Sequence, residues 1–197
     1  MKAIIPMAGL LVIAALPALA AANEGLIGGG FGGTIPVNDL LKEEADKSWA
    51  ADGFGVWRVS GPLHLRVSSA YDRFRPSAED REACAEIHAK CMSRIGRIDG
   101  GIELAPPADV KVKPFGFAEI GAYNLKSEAA VGGIKTSESK TFLGGGFGGG
   151  VRAHLGRNWG VGAELPVRWW RETEDSEKKT YWYLEPNGFL YLRFGRR

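Results

Sequence analysis

The chain has 197 residues, with 25 Lys and Arg against 23 Asp and Glu and a formal net charge of +2. This near balance excludes a basic-patch nucleic-acid binder, and the length fits a single domain. Beyond the first 22 residues no apolar run reaches the roughly 20 residues that a membrane-spanning helix needs. If the mature chain enters a membrane, it must do so as a closed barrel, because lipid offers backbone groups no hydrogen-bond partners.

The N-terminal segment has the order of a secretory signal peptide. Lys2 is followed by an apolar run, and small residues fill positions 20–22. This order is typical of an export signal that is removed from the mature protein. We therefore assign residues 1–22 to a signal peptide and residues 23–197 to one mature domain. Without Lys2 the 25 Lys and Arg become 24 against 23 Asp and Glu, so this domain is almost neutral.

The mature domain contains eight stretches in which apolar and polar residues alternate with a period of two. This period indicates β-strands. The predicted strands are residues 28–37, 49–59, 63–74, 95–105, 111–125, 140–155, 159–171 and 179–194. The second, fourth and sixth breaks are short sets of turn formers, whereas the other breaks are longer and charged. Alternation of short and long connections predicts an all-β, eight-stranded antiparallel up-and-down barrel that spans the outer membrane.

The alternation gives each strand an apolar face and a charged face. In the fourth predicted strand, for example, Ile98, Ile102 and Leu104 alternate with charged side chains. A membrane barrel turns the apolar face to lipid, whereas a soluble ligand carrier turns it inward. Trp159 and Trp169 favour the membrane, because aromatic residues collect at both edges of a lipid-facing band.

On the membrane interpretation, nine charged side chains point into the lumen. An eight-stranded barrel has only enough room for side chains to fill it. These groups are therefore predicted to pair and to plug the barrel. The predicted interior charges are Arg66, Arg97, Asp99, Glu103, Glu119, Arg152, Glu164, Arg168 and Arg193.

The two cysteines, Cys84 and Cys91, lie in one polar segment of an exported chain. An oxidising compartment favours a disulfide between them, with free thiols or a metal site as alternatives. On a straight helix the two Cα atoms would be about 10 Å apart, at 1.5 Å rise per residue, which is too far for a disulfide. A bridge therefore requires the segment to bend.

No motif predicts catalysis, a cofactor or a metal. His64, His88 and His154 have no neighbours in sequence that indicate a catalytic triad, and they are expected to be satisfied polar groups. The glycine-rich run at residues 143–150 lacks the βαβ context of a phosphate loop. Glycines in a barrel strand more often allow curvature and close packing.

Several segments resemble the bacterial outer-membrane β-barrel domain family. The resemblance covers nearly all of the mature chain and rests on glycine, aromatic and alternating positions in residues 32–40, 49–60, 65–74, 112–123, 146–152 and 159–164. It implies a small eight-stranded outer membrane protein that contacts membrane lipid and the barrel-assembly machinery. Family members usually end on an aromatic residue, whereas this chain continues from Phe194 through Gly195, Arg196 and Arg197.

Together these observations predict a monomeric, non-enzymatic outer-membrane barrel without a cofactor. Its charged interior is plugged, and its role is structural or adhesive through the extracellular loops. One alternative is a secreted soluble barrel that binds a small apolar ligand. A second is a lipid-modifying membrane enzyme, whose activity would depend on His154.

Overall fold

The computed structural model describes residues 24–77, 82, 84–86, 90–106, 110–131, 134–174 and 177–195. The predicted signal peptide and His88 lie outside these residues. The elements are β1 (Glu24–Pro36), α1 (Asp39–Glu44), β2 (Ala45–Asp46), β3 (Ser48–Ser60), β4 (Leu63–Pro76), β5 (Lys90–Leu104), β6 (Val112–Val131), β7 (Ile134–His154), β8 (Trp159–Glu174), β9 (Glu177–Leu184) and β10 (Asn187–Gly195).

The long strands form a closed ring of antiparallel pairs. Neighbours in sequence pair from β3 through β9, and β1 pairs with β3 on one side and with β10 and β9 on the other. Because β8 also pairs with both β9 and β10, these two strands occupy one position of the ring. The structure confirms the predicted eight-stranded antiparallel barrel, in which each position of the ring pairs with a neighbour on both sides.

The last predicted strand, residues 179–194, is interrupted at Glu185 and Pro186. Proline has no N–H to donate to a strand ladder, so it ends β9 before β10 begins. Neighbouring strands bridge the interruption. The backbone N–H of Gly33 donates to Pro186 O at 3.1 Å, and that of Glu185 donates to Pro166 O at 3.0 Å.

Three of the predicted long loops are shorter than the sequence pattern indicated. The β6–β7 register continues to Val131 opposite Ile134, and the β8–β9 register continues to Glu174 opposite Glu177. Similarly, β5 begins at Lys90 instead of residue 95. These extensions carry polar residues on both faces, and cross-strand polar pairs also stabilise a sheet. The alternation of apolar and polar residues therefore could not reveal them.

The connection between β1 and β3 folds back over one end of the ring. The side chain of Asn38 donates from Nδ2 to Thr180 O at 2.8 Å and accepts from the backbone N–H of Trp182 at 3.0 Å. Leu41 of α1 is buried among residues of the barrel lumen. We call this the long-loop end, and the opposite end, with the Gly61–Pro62 turn between β3 and β4, the short-turn end. The helices among the described residues are too short and too polar to span a bilayer.

The outer face of the ring is apolar. Large hydrophobic side chains there are about half exposed, including Ile102, Ile120, Phe147, Leu165 and Leu190. Trp159 begins β8 and Trp169 lies ten residues further along it, and their positions also place them on this outer face. The positions that alternate with these residues point into the lumen.

Candidate functional site

The centre of the lumen is a layer of buried charges. Since the pleat sends alternate side chains inward, strands β4 to β8 and the β9–β10 break each contribute to it. It contains four arginines and six carboxylates, all at most 7% exposed: Arg66, Arg97, Arg152, Arg168, Asp72, Asp99, Glu103, Glu119, Glu164 and Glu185. We call this set the lumen charge layer.

Arg66 of β4 connects three strands across the lumen. Its Nη2 donates to both carboxylate oxygens of Glu164 at 3.0 Å, and its Nε donates to Glu119 at 3.0 Å. The guanidinium also lies 4.1 Å from the ring centroid of Phe117. The planar guanidinium suits this combination of bidentate pairing and stacking better than an ammonium would.

Arg97 and Arg168 share the carboxylate of Glu185. Arg97 donates to both oxygens of Glu185 at 2.7 Å and to Asp72 at 2.8 Å. Arg168 donates to Glu119 at 2.7 Å and to Glu185 at 3.3 Å. Because Glu119 also binds Arg66, these contacts join the layer into one network. Such a network is costly to break, since a buried charge without its partner is strongly unfavourable.

Arg152 of β7 extends the layer toward the short-turn end. It donates two hydrogen bonds to Glu103, the shorter with partners Nη2 and Oε2. Its guanidinium also lies 3.9 Å from the ring centroid of Phe115. Cation–π contact of this kind adds attraction in a desolvated site.

Clusters of packed hydrophobic residues lie on both sides of the lumen charge layer. The cluster toward the long-loop end comprises Leu41, Ala45, Phe74, Ile95, Tyr123, Trp170, Tyr181 and Tyr183. The cluster toward the short-turn end comprises Phe54, Val56, Ala105, Phe115, Phe117, Phe189 and Tyr191. Tyr183 links one cluster to the charges, because its hydroxyl donates to Asp72 at 2.7 Å.

The structure brings eight of the nine predicted interior charges into this layer. Arg193 instead lies at the mouth of the short-turn end, where it donates to Glu24 at 3.5 Å. Sequence reasoning also missed Asp72 and Glu185. Asp72 could have been found, because it follows Arg66 by six residues and therefore lies on the same face of β4. Glu185 could also have been found, because it precedes Arg193 by eight residues and the alternation of buried and exposed positions continues across the proline break.

These corrections change the charge balance. The nine predicted residues comprised five cations and four anions, whereas the lumen charge layer has four arginines and six carboxylates. The excess of carboxylates is spread over several strands. Within the described part of the chain, no group of His, Cys, Asp and Glu has the geometry of a metal site.

The two cysteines are joined at the long-loop end. Cys84 and Cys91 form a disulfide whose Cα atoms are 6.3 Å apart. The segment bends as a bridge requires, because β5 starts at Lys90 and makes Cys91 part of a strand. Both cysteines line a cleft of about 360 Å³ together with residues of β5, β6 and β7, among them Met92, Glu128 and Thr136.

The two histidines in the described residues lie near the short-turn end. His64 Nδ1 is 3.0 Å from Pro62 O, and His154 Nδ1 is 2.5 Å from the hydroxyl of Tyr191. Each ring therefore has a polar partner. Neither of these two partners is a hydroxyl of serine or a carboxylate, the groups that would complete a hydrolytic triad.

An apolar outer face around a polar, ion-paired lumen defines the class of the protein: it is a transmembrane β-barrel. Comparison with protein families identifies the particular family. Residues 7–182 match the outer membrane protein beta-barrel domain family, and the chain belongs to that family. This membership places the protein in the outer membrane, in contact with lipid.

Solved structures with the same fold are small outer-membrane barrels. Neisserial surface protein A is 13% identical, with 88% of this chain and 98% of that chain covered and a TM-score of 0.62. A major outer membrane protein from Thermus thermophilus is 12% identical, with 88% and 100% covered and a TM-score of 0.62. Ail, the attachment invasion locus protein of Yersinia pestis, is 16% identical, with 88% and 99% covered and a TM-score of 0.51. The search of curated proteins finds no match.

Proposed function

We propose that this protein is a monomeric, non-enzymatic outer-membrane barrel whose lumen is closed and whose surface at the long-loop end contacts the environment of the cell. In barrels of this type the short turns face the periplasm and the longer connections face outward. We therefore place α1 and the Cys84–Cys91 disulfide on the outside. Assembly through the barrel-assembly machinery, export by residues 1–22 and the absence of nucleic-acid binding belong to the same proposal.

The main support for a closed lumen is the ion-pair network around Arg66, Arg97 and Arg168. These three side chains are among the largest fully buried ones in the described chain, and each pairs with carboxylates on other strands. Hydrophobic clusters pack on both sides of them. A column of water wide enough for ions would have to displace side chains that are held by charge-assisted hydrogen bonds.

Planar-bilayer recording tests this closure. The folded protein is expected to produce no stable conductance steps above the lipid baseline. The matched variant Arg168→Ala/Glu119→Ala removes a bonded cation and anion together, which leaves space in the layer, and it is expected to leak small ions. Regular conductance steps from the unaltered protein would refute a closed lumen.

The arrangement of apolar and charged faces supports a membrane barrel over the soluble ligand carrier. A carrier needs its aliphatic residues around an internal cavity. Here the aliphatic side chains Ile120 and Leu190 point outward, and the centre of the lumen holds ion pairs. Extraction of the protein only by detergent, with a heat-dependent shift in gel mobility, is the expected result. A freely soluble chain of invariant mobility would overturn the proposal.

A contact role at the long-loop end is supported by the built surface there. A structured surface lies outside the lipid-facing band. It consists of the disulfide, the paired extension of β6 and β7, and the cleft between them. One fold neighbour is named an attachment invasion locus protein. We therefore propose adhesion as the contact role, tested by expressing the chain on a non-adherent bacterial host and counting bound host cells.

The test variants for adhesion change exposed charges at the long-loop end without disturbing the barrel, whose heat-dependent mobility is the control. Glu138→Lys and Lys178→Glu change charge at exposed positions near the long-loop end. Adhesion that falls with these changes, while heat-dependent mobility is retained, supports a contact role. Equal cell counts with and without the barrel would leave a purely structural role.

The enzyme alternative predicts that lipid modification requires His154. We expect His154→Ala to leave the acyl composition of outer-membrane lipid unchanged when the variant and the unaltered chain are expressed at equal levels. A change in lipid acylation that depends on the unaltered chain and disappears with His154→Ala would refute the non-enzymatic proposal.

A further inference from the structure

A row of three cations crosses the outer face of the barrel near the long-loop end. Arg73 of β4 is directly opposite Arg94 of β5, and Arg94 is directly opposite Lys126 of β6. All three alternate with lumen-facing residues, namely Phe74, Ile95 and Tyr123, and therefore point outward. Directly opposed side chains have Cβ atoms about 4.5–5.5 Å apart, so Arg94 lies next to Arg73 on one side and next to Lys126 on the other.

The row has fewer anions than cations. Glu128 binds Arg94 and also lies 2.8 Å from Lys126 Nζ. Within the part of the chain that the structure describes, Arg73 has no carboxylate partner. Like charges placed directly opposite each other destabilise a sheet. Two of the three cations therefore share one carboxylate and the third has none, so the row forms a site that an additional anion would stabilise.

The position of the row identifies where that anion comes from. Toward the short-turn end, the next outward residue on β4 after Arg73 is Tyr71, whose ring lies 5.7 Å from that of Trp49, and Trp49 stacks on Phe31 at 5.8 Å. Arg94 Nη1 also donates to the Tyr71 hydroxyl at 3.4 Å. Aromatic belts mark the level at which hydrocarbon meets lipid headgroups. The three cations lie next to this belt, on its side toward the long-loop end, which is the side of the lipid headgroups.

We propose that the row Arg73, Arg94 and Lys126 binds the phosphate of a phosphorylated lipid in the outer leaflet. The guanidinium groups offer forked N–H donors that match phosphate oxygens, and the ammonium adds a point charge. Phe31, Trp49 and Tyr71 pack beside the acyl chains of the same lipid. The assignment to the outer leaflet rests on the proposed orientation of the barrel.

The test uses the complete mature chain, folded in uncharged detergent and verified by its heat-dependent mobility. Native mass spectrometry measures the apparent Kd for dioleoyl phosphatidic acid, which carries a phosphate monoester, and for dioleoyl phosphatidylcholine, which has no net charge. Glycerol 3-phosphate presents the same phosphate without acyl chains. The variant Arg73→Gln/Lys126→Gln removes two charges of the row. Lys178→Gln removes one exposed charge near the same end, on β9.

Phosphatidic acid is expected to bind about tenfold or more tightly than phosphatidylcholine, since one charge-assisted hydrogen bond contributes on that scale. Arg73→Gln/Lys126→Gln should abolish this preference, whereas Arg73→Lys and Lys178→Gln should retain most of it. Equal binding of both lipids, or equal loss in Lys178→Gln, would overturn the proposal. Binding of glycerol 3-phosphate as tight as that of phosphatidic acid would overturn the assignment to a lipid.

The two proposals fail in different ways. A chain without heat-dependent mobility contradicts the membrane barrel itself. A correctly folded barrel that shows no preference for phosphatidic acid contradicts only the lipid site. Retained mobility in each glutamine variant shows that any lost binding does not come from unfolding.

Discussion

Arg97 and Glu185 are separated by 88 residues in sequence and form a bidentate ion pair across the lumen, with both hydrogen bonds at 2.7 Å. The pair connects β5 to the break between β9 and β10. It also explains how the proline interruption is tolerated, because Glu185 is held from the inside by Arg97, Arg168 and the side chain of Asn187.

Removing one member of this pair is expected to be costly. Arg97→Met leaves Glu185 and Asp72 buried without their main cation, and we expect a loss of about 3–5 kcal/mol in the free energy of unfolding. Urea titration in lipid vesicles, followed by tryptophan fluorescence, measures this loss. The control Arg97→Met/Glu185→Gln removes both charges and should be more stable than the sum of the two single losses indicates. Strictly additive losses would show that the pair is not coupled.

A charge on the outer face tests which face contacts lipid. Ile120 points outward near the middle of β6 and is 56% exposed. Ile120→Arg is expected to destabilise the barrel in vesicles by about 2–4 kcal/mol, because the charge must enter hydrocarbon. Thr141→Arg, on β7 near the long-loop end, serves as the control and should cost no more than about 1 kcal/mol. Equal costs at the two positions would contradict the assigned depth.

One glycine of β6 has no space for a side chain. A Cβ at Gly121 would overlap the carbonyl oxygen of Ile98 and the side chain of Asp99 on β5. Gly121→Ala is expected to lower the free energy of unfolding by about 1–3 kcal/mol through displacement of the strand. The control is Gly96→Ala on β5, where no atom lies within 4 Å of the added Cβ. It should be neutral or stabilising by about 0.4–1 kcal/mol, and the same urea titration compares both variants.

The disulfide is expected to stabilise its own segment and not the ring. Cys84→Ser/Cys91→Ser removes a bridge between residues only seven positions apart in sequence. For so short a loop, the chain-entropy model limits the loss in the free energy of unfolding to about 2–3 kcal/mol. Heat-dependent mobility should persist in the double serine variant. Titration of thiols in the denatured, unreduced chain should find none, and reduction should release both. A barrel that no longer folds without the bridge would contradict this prediction.

Much of the fold was readable from local pattern. Seven of the eight predicted strands each overlap a single strand of the structure. Each of them has an apolar face that must contact lipid, and with a period of two this requirement fixes which residues point outward and which point into the lumen. The same parity identified eight members of the lumen charge layer, including Arg66 and Arg168. The pattern failed where both faces of a strand are solvated, as in the extensions of β6 and β7.

The sequence by itself determined the strands, the two chemically different faces and the family resemblance, since these depend on residues near one another in the chain. Only the tertiary structure decided which charges meet. The contacts of Arg97 with Glu185 and of Arg66 with Glu164 depend on ring closure and register between distant strands. The outward row of Arg73, Arg94 and Lys126 likewise exists only because three strands are aligned at those positions. Hydrogen bonding between strands sets that alignment, and no single segment contains it.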